Sequence, residues 1–137
     1  MTGCLCLQVT TGATADGHPV VVSGSYYLDN DKPWEPMYAL DPQAGITDAA
    51  QRALVLGGEG ALWSETMDPS NIGTRAWPRA AAIAERLWSA AEATRDTNAT
   101  RPRLEEFRCL LTRRGVAAGT ASGAPVTDGG PCALPHV

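Results

Sequence analysis

The sequence predicts an α/β chain with two strands and two helices, and three of its features lead to that prediction. The β-branched run Val20–Val22 is typical of a buried strand, and the apolar segment of residues 53–57 is typical of a second one. Apolar side chains recur at helical spacing in residues 77–90 and again in residues 103–114. Two strand–helix units cannot cover both faces of a parallel sheet, so these elements are too few for a closed barrel.

The two predicted helices also carry residues that suit helix ends. Pro78 is compatible with a first helical turn, because the N–H that proline lacks has no acceptor within the helix there. Gly115 is a typical C-terminal stop for the helix predicted at residues 103–114. The apolar side chains that would pack are Trp77, Ala81, Ala84 and Trp88 in the first helix and Leu104, Phe107 and Leu111 in the second.

Three other segments have no pattern that predicts a helix or a strand. Residues 1–18 are rich in Gly, Thr and Ala without clear periodicity, and we interpret them as a poorly defined N-terminal segment. Residues 30–48 contain three prolines and are predicted to form a loop; loops of this length are usually functional or disordered. Residues 117–137 are rich in Gly, Pro and Ala and are predicted to be extended.

Composition excludes several classes of function. A chain of 137 residues makes one domain by the usual prior, and its net charge of -4 argues against a nucleic-acid partner, which would require a basic surface. No apolar run approaches the ~20 residues that span a bilayer, and the N-terminus has no basic region typical of a signal peptide. Neither histidine has a companion at metal-ligand spacing, so we predict no metal and no cofactor.

Residues 53–88 hold the most informative pattern in the chain. They run from the second predicted strand through glycines, a tryptophan and two glutamates into an apolar helix. Several uncommon features occur in order: GGE at Gly57 to Glu59, Trp63, Glu65, WPR at Trp77 to Arg79, and AERLW at Ala84 to Trp88.

Alternation along a strand predicts which of these side chains share a side. Glu59, Trp63 and Glu65 share parity after one strand, and Tyr27 and Asp29 share parity after the other. In a parallel barrel, the C-terminal ends of the strands surround the active site. Indoles stack on the apolar faces of sugars and carboxylates accept hydrogen bonds from sugar hydroxyls, so these residue types suit a sugar-binding pocket.

The pattern closely resembles the last strand, loop and helix of the β-N-acetylhexosaminidases of glycoside hydrolase family 20. The resemblance covers about residues 15–134. It implies the C-terminal portion of a (β/α)8 TIM barrel, roughly its last quarter to third, with the seventh and eighth strands, a C-terminal helix and a tail. Residues 19–137 are accordingly interpreted as a partial catalytic domain of that family.

The resemblance also implies roles for individual residues. Tyr27 matches the tyrosine that holds the carbonyl of the substrate's acetamido group, and Asp29 matches a position that contacts outer hydroxyls of the terminal sugar. Trp63 matches a tryptophan that lines the pocket, and Glu65 matches the glutamate that binds the side of the 4- and 6-hydroxyls. Tyr26 stands where many relatives carry tryptophan, which implies an altered pocket wall.

The mechanism implied by the resemblance is substrate-assisted retention, in which the acetamido oxygen attacks the anomeric carbon. The family uses an Asp-Glu pair to orient the acetamido group and to protonate the leaving oxygen, and this sequence contains no Asp-Glu dipeptide. General acid catalysis contributes ~10²–10⁴-fold, so we expect no useful turnover from this chain alone. The alternative is a non-catalytic fragment that binds a carbohydrate or a partner; a helical interaction protein ranks last.

The resemblance implies further features outside the pocket. It pairs Cys109 with Cys132 in a disulfide, whereas Cys4 and Cys6 are too close together for an easy mutual bridge. Asn98 begins an Asn-Ala-Thr sequence that fits an N-glycosylation site. For the longer enzyme the resemblance implies glycans or glycoconjugates ending in N-acetylhexosamine as substrates, a lysosomal or secreted location, and a homo- or heterodimer.

Single residues taken alone have simpler interpretations. Trp63 or Tyr27 by itself is more often a packed core residue, and Glu65 by itself is more often a solvated carboxylate. Only the motif as a whole favours the pocket. Five residues of the 77–90 segment are interpreted as helix packing and ion pairing, namely Trp77, Arg79, Glu85, Arg86 and Trp88.

Overall fold

The computed structural model describes residues 5–30, 32–121 and 132. Two short 3₁₀ helices, Ser64–Thr66 and Ala91–Thr94, accompany the main elements. The helices and strands in chain order are α1 Leu5–Ala15, β1 Val20–Val22, α2 Trp34–Ala39, α3 Ala49–Ala53, β2 Val55–Gly58, α4 Ile72–Ala76, α5 Arg79–Trp88 and α6 Thr97–Arg113.

Strands β1 and β2 pair in parallel, as expected for consecutive strand–helix units. Val20 lies opposite Val55 and Val22 lies opposite Gly58, with a register irregularity after Val20. Gly57 lies at this irregularity with φ of 145°, a conformation that residues other than glycine rarely adopt. The prediction of β1 is confirmed, while β2 begins two residues later than predicted because residues 49–53 form α3.

The parallel pairing continues beyond the two strands, and this continuation positions the candidate site. The N–H of Glu59 donates to the carbonyl of Val22 at 3.0 Å. Tyr27 and Ala61 then form a parallel bridge, in which Leu28 N–H donates to the Ala61 carbonyl at 2.7 Å. The backbone segments that follow β1 and β2 are therefore held side by side.

Helix α5 joins the two clusters of the core because neighbouring side chains of this helix enter different clusters. Ile83 belongs to the cluster under the sheet, and Ala82 belongs to a second cluster between α2, α5 and α6. The buried members of the first cluster are Val22, Tyr26, Leu28, Met37, Ile46, Val55 and Ile83. Those of the second are Trp34, Tyr38, Ala82, Leu104 and Ala121.

The opposite side of the sheet is uncovered. Val21 and Leu56 are 52% and 69% exposed, although both are large apolar residues on strands. Two parallel strands packed against helices match the partial α/β architecture that the sequence predicts. None of the helices in the described ranges is both long and apolar enough to cross a membrane.

The N-terminal segment differs from its interpretation as poorly defined, because residues 5–15 form helix α1. The hydroxyls of Thr10 and Thr14, both buried, donate to the carbonyls of Cys6 and Thr10 at 2.8 and 3.0 Å. The helix therefore buries hydroxyls that are satisfied within it, so it has no apolar stripe from which periodicity could predict it. The division of the chain after residue 18 stays a prediction.

The loop predicted for residues 30–48 contains a short helix, α2. Pro33 lies at its N-cap and Pro36 lies in its first turn, where the missing N–H has no helical acceptor. Trp34 is buried and its indole N–H donates to the Ala121 carbonyl at 2.9 Å. Tertiary packing thus forms a helix where proline content alone predicted a loop.

Both predicted helices have different first residues in the structure. Trp77 is extended, with φ -106° and ψ 140°, because a residue before proline avoids the helical region; α5 therefore begins at Arg79 and ends at Trp88. Helix α6 begins at Thr97 instead of residue 103, because Asp96 caps it and Pro102 is accommodated inside it. Gly115 follows its end with φ of 80°, as predicted. Most of the extended tail predicted for residues 117–137 lies outside the described residues.

Candidate sugar-binding site

The four predicted pocket residues occupy two adjacent backbone segments. Tyr27 and Asp29 follow β1, and both are partly buried. Trp63 and Glu65 follow β2, and Trp63 is 53% exposed. The bridge between Tyr27 and Ala61 holds these segments together at one edge of the sheet.

The alternation that led to Glu65 does not extend as far as predicted. Strand β2 ends at Gly58, and Glu65 lies in the 3₁₀ helix Ser64–Thr66. Its exposed side chain therefore takes its direction from that helix and not from the pleat of a strand. Its assignment to the pocket stays a prediction, as do those of Tyr27, Asp29 and Trp63.

The loop after Glu65 is ordered by a network of polar side chains. The N–H and hydroxyl of Ser70 donate to Asp68, and these hydrogen bonds lower the pKa of that carboxyl, with the hydroxyl having the largest effect. Asn71 accepts from Asp68 N–H and donates to the Thr66 carbonyl, each at 3.0 Å. The loop is thereby tied to the 3₁₀ helix that carries Glu65.

The resemblance implies that Tyr26 forms part of the pocket wall, but the structure places this side chain in the core. It is fully buried, and this burial raises the pKa of its hydroxyl to about 12. Gly58 makes room for it, because a Cβ added at Gly58 would lie 2.7 Å from Cε2 of Tyr26. The GGE motif thus lets β2 pass directly over an aromatic ring.

Arg79 of the WPR motif connects α5 to the segment that carries Asp29. Its guanidinium donates to the carbonyls of Leu28, Asn30 and Lys32, at 2.6, 2.7 and 3.0 Å. The sequence alone suggests helix packing and ion pairing for this arginine, whereas the structure shows it bound to the backbone of a distant segment. Its place within the WPR motif is the sequence signal that points to this role. Desolvation lowers the pKa of Arg79, neighbouring Arg75 lowers it further, and Asp29 raises it.

The other polar residues of α5 stabilise the packing of the helices. Glu85 accepts from the hydroxyl of Tyr38 at 2.9 Å and forms an ion pair with Arg103. Arg86 is buried and donates to the Leu40 carbonyl at 2.9 Å. These contacts confirm the interpretation of Glu85 and Arg86.

The two tryptophans at the ends of this segment differ from each other. Trp77 packs edge-on against Phe107 with a centroid distance of 6.1 Å, as a packing residue should. Trp88 is 91% exposed, so its interpretation as a packing residue is wrong for the described part of the chain.

The predicted disulfide is formed in the structure. Cys109 and Cys132 are bonded, with their Cα atoms 4.8 Å apart. Cys6 is a free, partly buried thiol, and Cys4 lies outside the described residues. Asn98 is exposed in the first turn of α6; its glycosylation stays a prediction. No cluster of three or more His, Cys, Asp or Glu side chains within the described ranges could hold a metal ion.

Comparison with known proteins identifies the family. The catalytic domain of glycosyl hydrolase family 20 matches residues 7–91, which is more than half of the chain. Arabidopsis thaliana β-hexosaminidase 3 is 48% identical over 121 residues, which are 85% of this chain and 22% of that protein. The β subunit of Homo sapiens β-hexosaminidase is 40% identical over 108 residues, 77% of this chain and 19% of that protein.

Solved structures agree with the sequence relatives. A chitobiase from Flavobacterium johnsoniae is 37% identical with a TM-score of 0.74, over 83% of this chain and 18% of that one. An exo-β-N-acetylglucosaminidase from Vibrio harveyi, solved with N-acetylglucosamine, is 26% identical with a TM-score of 0.75. The match covers 85% of this chain and 21% of that one. The chain belongs to glycosyl hydrolase family 20. It spans about a fifth of the length of these relatives.

Proposed function

We propose that this chain is the C-terminal part of a β-N-acetylhexosaminidase and forms one wall of its sugar pocket. The enzyme would remove terminal N-acetylglucosamine or N-acetylgalactosamine from the non-reducing ends of glycans. The observation that carries the proposal is the parallel bridge between Tyr27 and Ala61, which joins the two segments bearing the candidate residues. The names of the relatives and the family match support the same activity.

Each candidate residue has a chemical role in this proposal. The Tyr27 hydroxyl holds the acetamido oxygen, which acts as the nucleophile in substrate-assisted retention. The exposed Trp63 indole offers an apolar face to the sugar ring. The carboxylates of Asp29 and Glu65 accept hydrogen bonds from sugar hydroxyls.

The chemistry of bond cleavage requires groups that this chain does not contain. Its sequence has no Asp-Glu dipeptide to orient the acetamido group and to protonate the leaving oxygen. These groups come from the remaining strands of a (β/α)8 barrel, which would also cover the uncovered side of the sheet. The isolated chain is accordingly inactive.

A second candidate function is a non-catalytic fragment that binds a carbohydrate or a partner. The exposed apolar side chains of Val21, Leu56 and Trp88 favour it, because uncovered apolar surface is typical of a protein interface. We rank it second because all four residues that match the family's sugar pocket, Tyr27, Asp29, Trp63 and Glu65, are present in the family's order.

Location and assembly follow from the same proposal. The disulfide between Cys109 and Cys132 supports a secreted or lysosomal enzyme, since disulfides persist in oxidising compartments. Assembly as a homo- or heterodimer is supported by relatives that are described as α and β subunits.

The test is a chimaera in which this chain replaces the matching 22% of Arabidopsis thaliana β-hexosaminidase 3. The chimaera should hydrolyse a chromogenic N-acetylglucosaminide, because the relative supplies the missing strands and the general acid. The isolated chain should give no rate above the buffer blank. A folded, monodisperse chimaera without activity would contradict the proposal, as would robust activity of the isolated chain.

A further inference from the structure

The guanidinium of Arg79 is fully occupied by backbone carbonyl groups. It makes five hydrogen bonds within the described part of the chain, three to the carbonyls of Leu28, Asn30 and Lys32 and two to that of Arg75. An arginine side chain has five N–H donors. Every donor is therefore engaged, and none is left to bind a ligand directly.

The carbonyls that Arg79 binds lie on both sides of Asp29. Leu28 precedes this aspartate and Asn30 follows it, and both carbonyls accept from the same guanidinium. Oδ1 of Asp29 is buried and has no hydrogen-bond partner among the described residues. A buried carboxylate oxygen without a partner is costly unless a ligand donates to it. These hydrogen bonds, which we call the Arg79 clamp, thus fix the backbone on both sides of a carboxylate whose buried Oδ1 has no partner within the described residues.

This arrangement requires an arginine. Its planar, forked donors reach several carbonyls in fixed directions, whereas a lysine ammonium is a compact charge with three donors. The guanidinium is also held near the start of the helix from which it extends, because Nε and one terminal nitrogen of Arg79 donate to the carbonyl of Arg75 in α4.

We propose that Arg79 is a positioning residue for sugar binding, which sets the direction of the Asp29 carboxylate by fixing the backbone on either side of it. The inference rests on the proposed function. It extends that function by giving the WPR motif a role: Arg79 orients the carboxylate that accepts hydrogen bonds from outer hydroxyls of the terminal sugar. Arg79 itself does not touch the sugar.

The experiment compares three variants of the chimaera, Arg79→Lys, Arg79→Met and the matched control Arg86→Lys. Arg86 lies on the same helix and also donates to a backbone carbonyl, that of Leu40, which is remote in sequence from Asp29. Both Arg79 variants should raise KM for a chromogenic N-acetylglucosaminide about tenfold, with a smaller change in kcat. Arg86→Lys should leave KM unchanged, because loss of folded enzyme lowers only the amount of active protein.

A double variant separates positioning from general stability. In an Asp29→Ala background, Arg79→Lys should add little to KM, because the carboxylate that it positions is gone. Unchanged KM in both Arg79 variants would overturn the inference, and so would a full additive effect in that background. If the unsubstituted chimaera is inactive, the proposed function fails; if it is active and Arg79 has no effect on KM, only this inference fails.

Discussion

Gly58 shows how a single missing side chain shapes the site. A Cβ at this position would lie 2.9 Å from the Val22 carbonyl and 2.7 Å from the ring of Tyr26. The glycine therefore lets β2 pair closely with β1 while the tyrosine stays buried between the sheet and α5. The segments that carry Tyr27 and Trp63 depend on this close approach.

Gly58→Ala should lower the free energy of unfolding by about 1–3 kcal/mol, because overpacking displaces backbone and ring atoms. Gly12→Ala is the matched control, since nothing lies within 4 Å of an added Cβ in that helix. It should leave stability unchanged or raise it by up to about 1 kcal/mol. Urea unfolding followed by fluorescence measures both; equal effects of the two substitutions would contradict the packing described.

Tyr27 and Glu65 should affect different kinetic constants in the chimaera. Glu65→Gln removes a charge-assisted hydrogen bond of ~1.5–3 kcal/mol, so kcat/KM should fall roughly ten- to hundredfold. Tyr27→Phe removes the donor that steadies the acetamido nucleophile, so its loss should fall mainly on kcat. Steady-state kinetics distinguishes the two effects. Wild-type kcat and KM in both variants would show that Tyr27 and Glu65 do not contact the sugar.

At the level of elements, local patterns predicted β1 and the motif-bearing helix but missed α1, α2, α3 and α4, of which α1 and α2 show the reason. The valine run of β1 and the apolar spacing of α5 are properties of the local sequence, which is why they could be predicted. Helix α2 could not, because its formation depends on burial of Trp34 and Tyr38 against distant elements. Helix α1 buries threonine hydroxyls, a pattern without an apolar period.

The candidate site was predictable to the extent that it follows the motif. The segments with Tyr27 and Trp63 do lie side by side, but the clamp by Arg79 joins residues 51 positions apart and leaves no local pattern. The exposure of Trp88 was equally hidden, because its spacing fits the apolar positions of the helix.

The disulfide should stabilise the end of α6 in material made in an oxidising compartment. Bonding Cys109 to Cys132 closes a loop with a sequence separation of 23, which corresponds to roughly 3 kcal/mol in the chain-entropy model. Cys132→Ser should lower the unfolding free energy by about that amount, whereas the control Cys6→Ser should have a smaller effect. Peptide mapping without reduction should find the two cysteine peptides joined; free thiols at both positions in secreted protein would contradict this.

On the scale of the whole molecule, the uncovered side of the sheet is the feature that needs explanation. The two-stranded parallel sheet leaves Val21 and Leu56 exposed. Parallel sheets are otherwise almost always covered on both faces. The family relatives are about five times longer than the matched segment, and further strands from such a chain would bury this surface.

The central claim is that the segments after β1 and β2 form one wall of a sugar pocket, and a crystal structure of the chimaera with bound N-acetylglucosamine tests it most directly. We expect the sugar ring against the indole of Trp63, and carboxylate oxygens of Asp29 and Glu65 within about 3 Å of its hydroxyls. The Tyr27 hydroxyl should lie at the acetamido oxygen. A sugar bound elsewhere, or bound in the barrel without contact to any of these four residues, would contradict the claim.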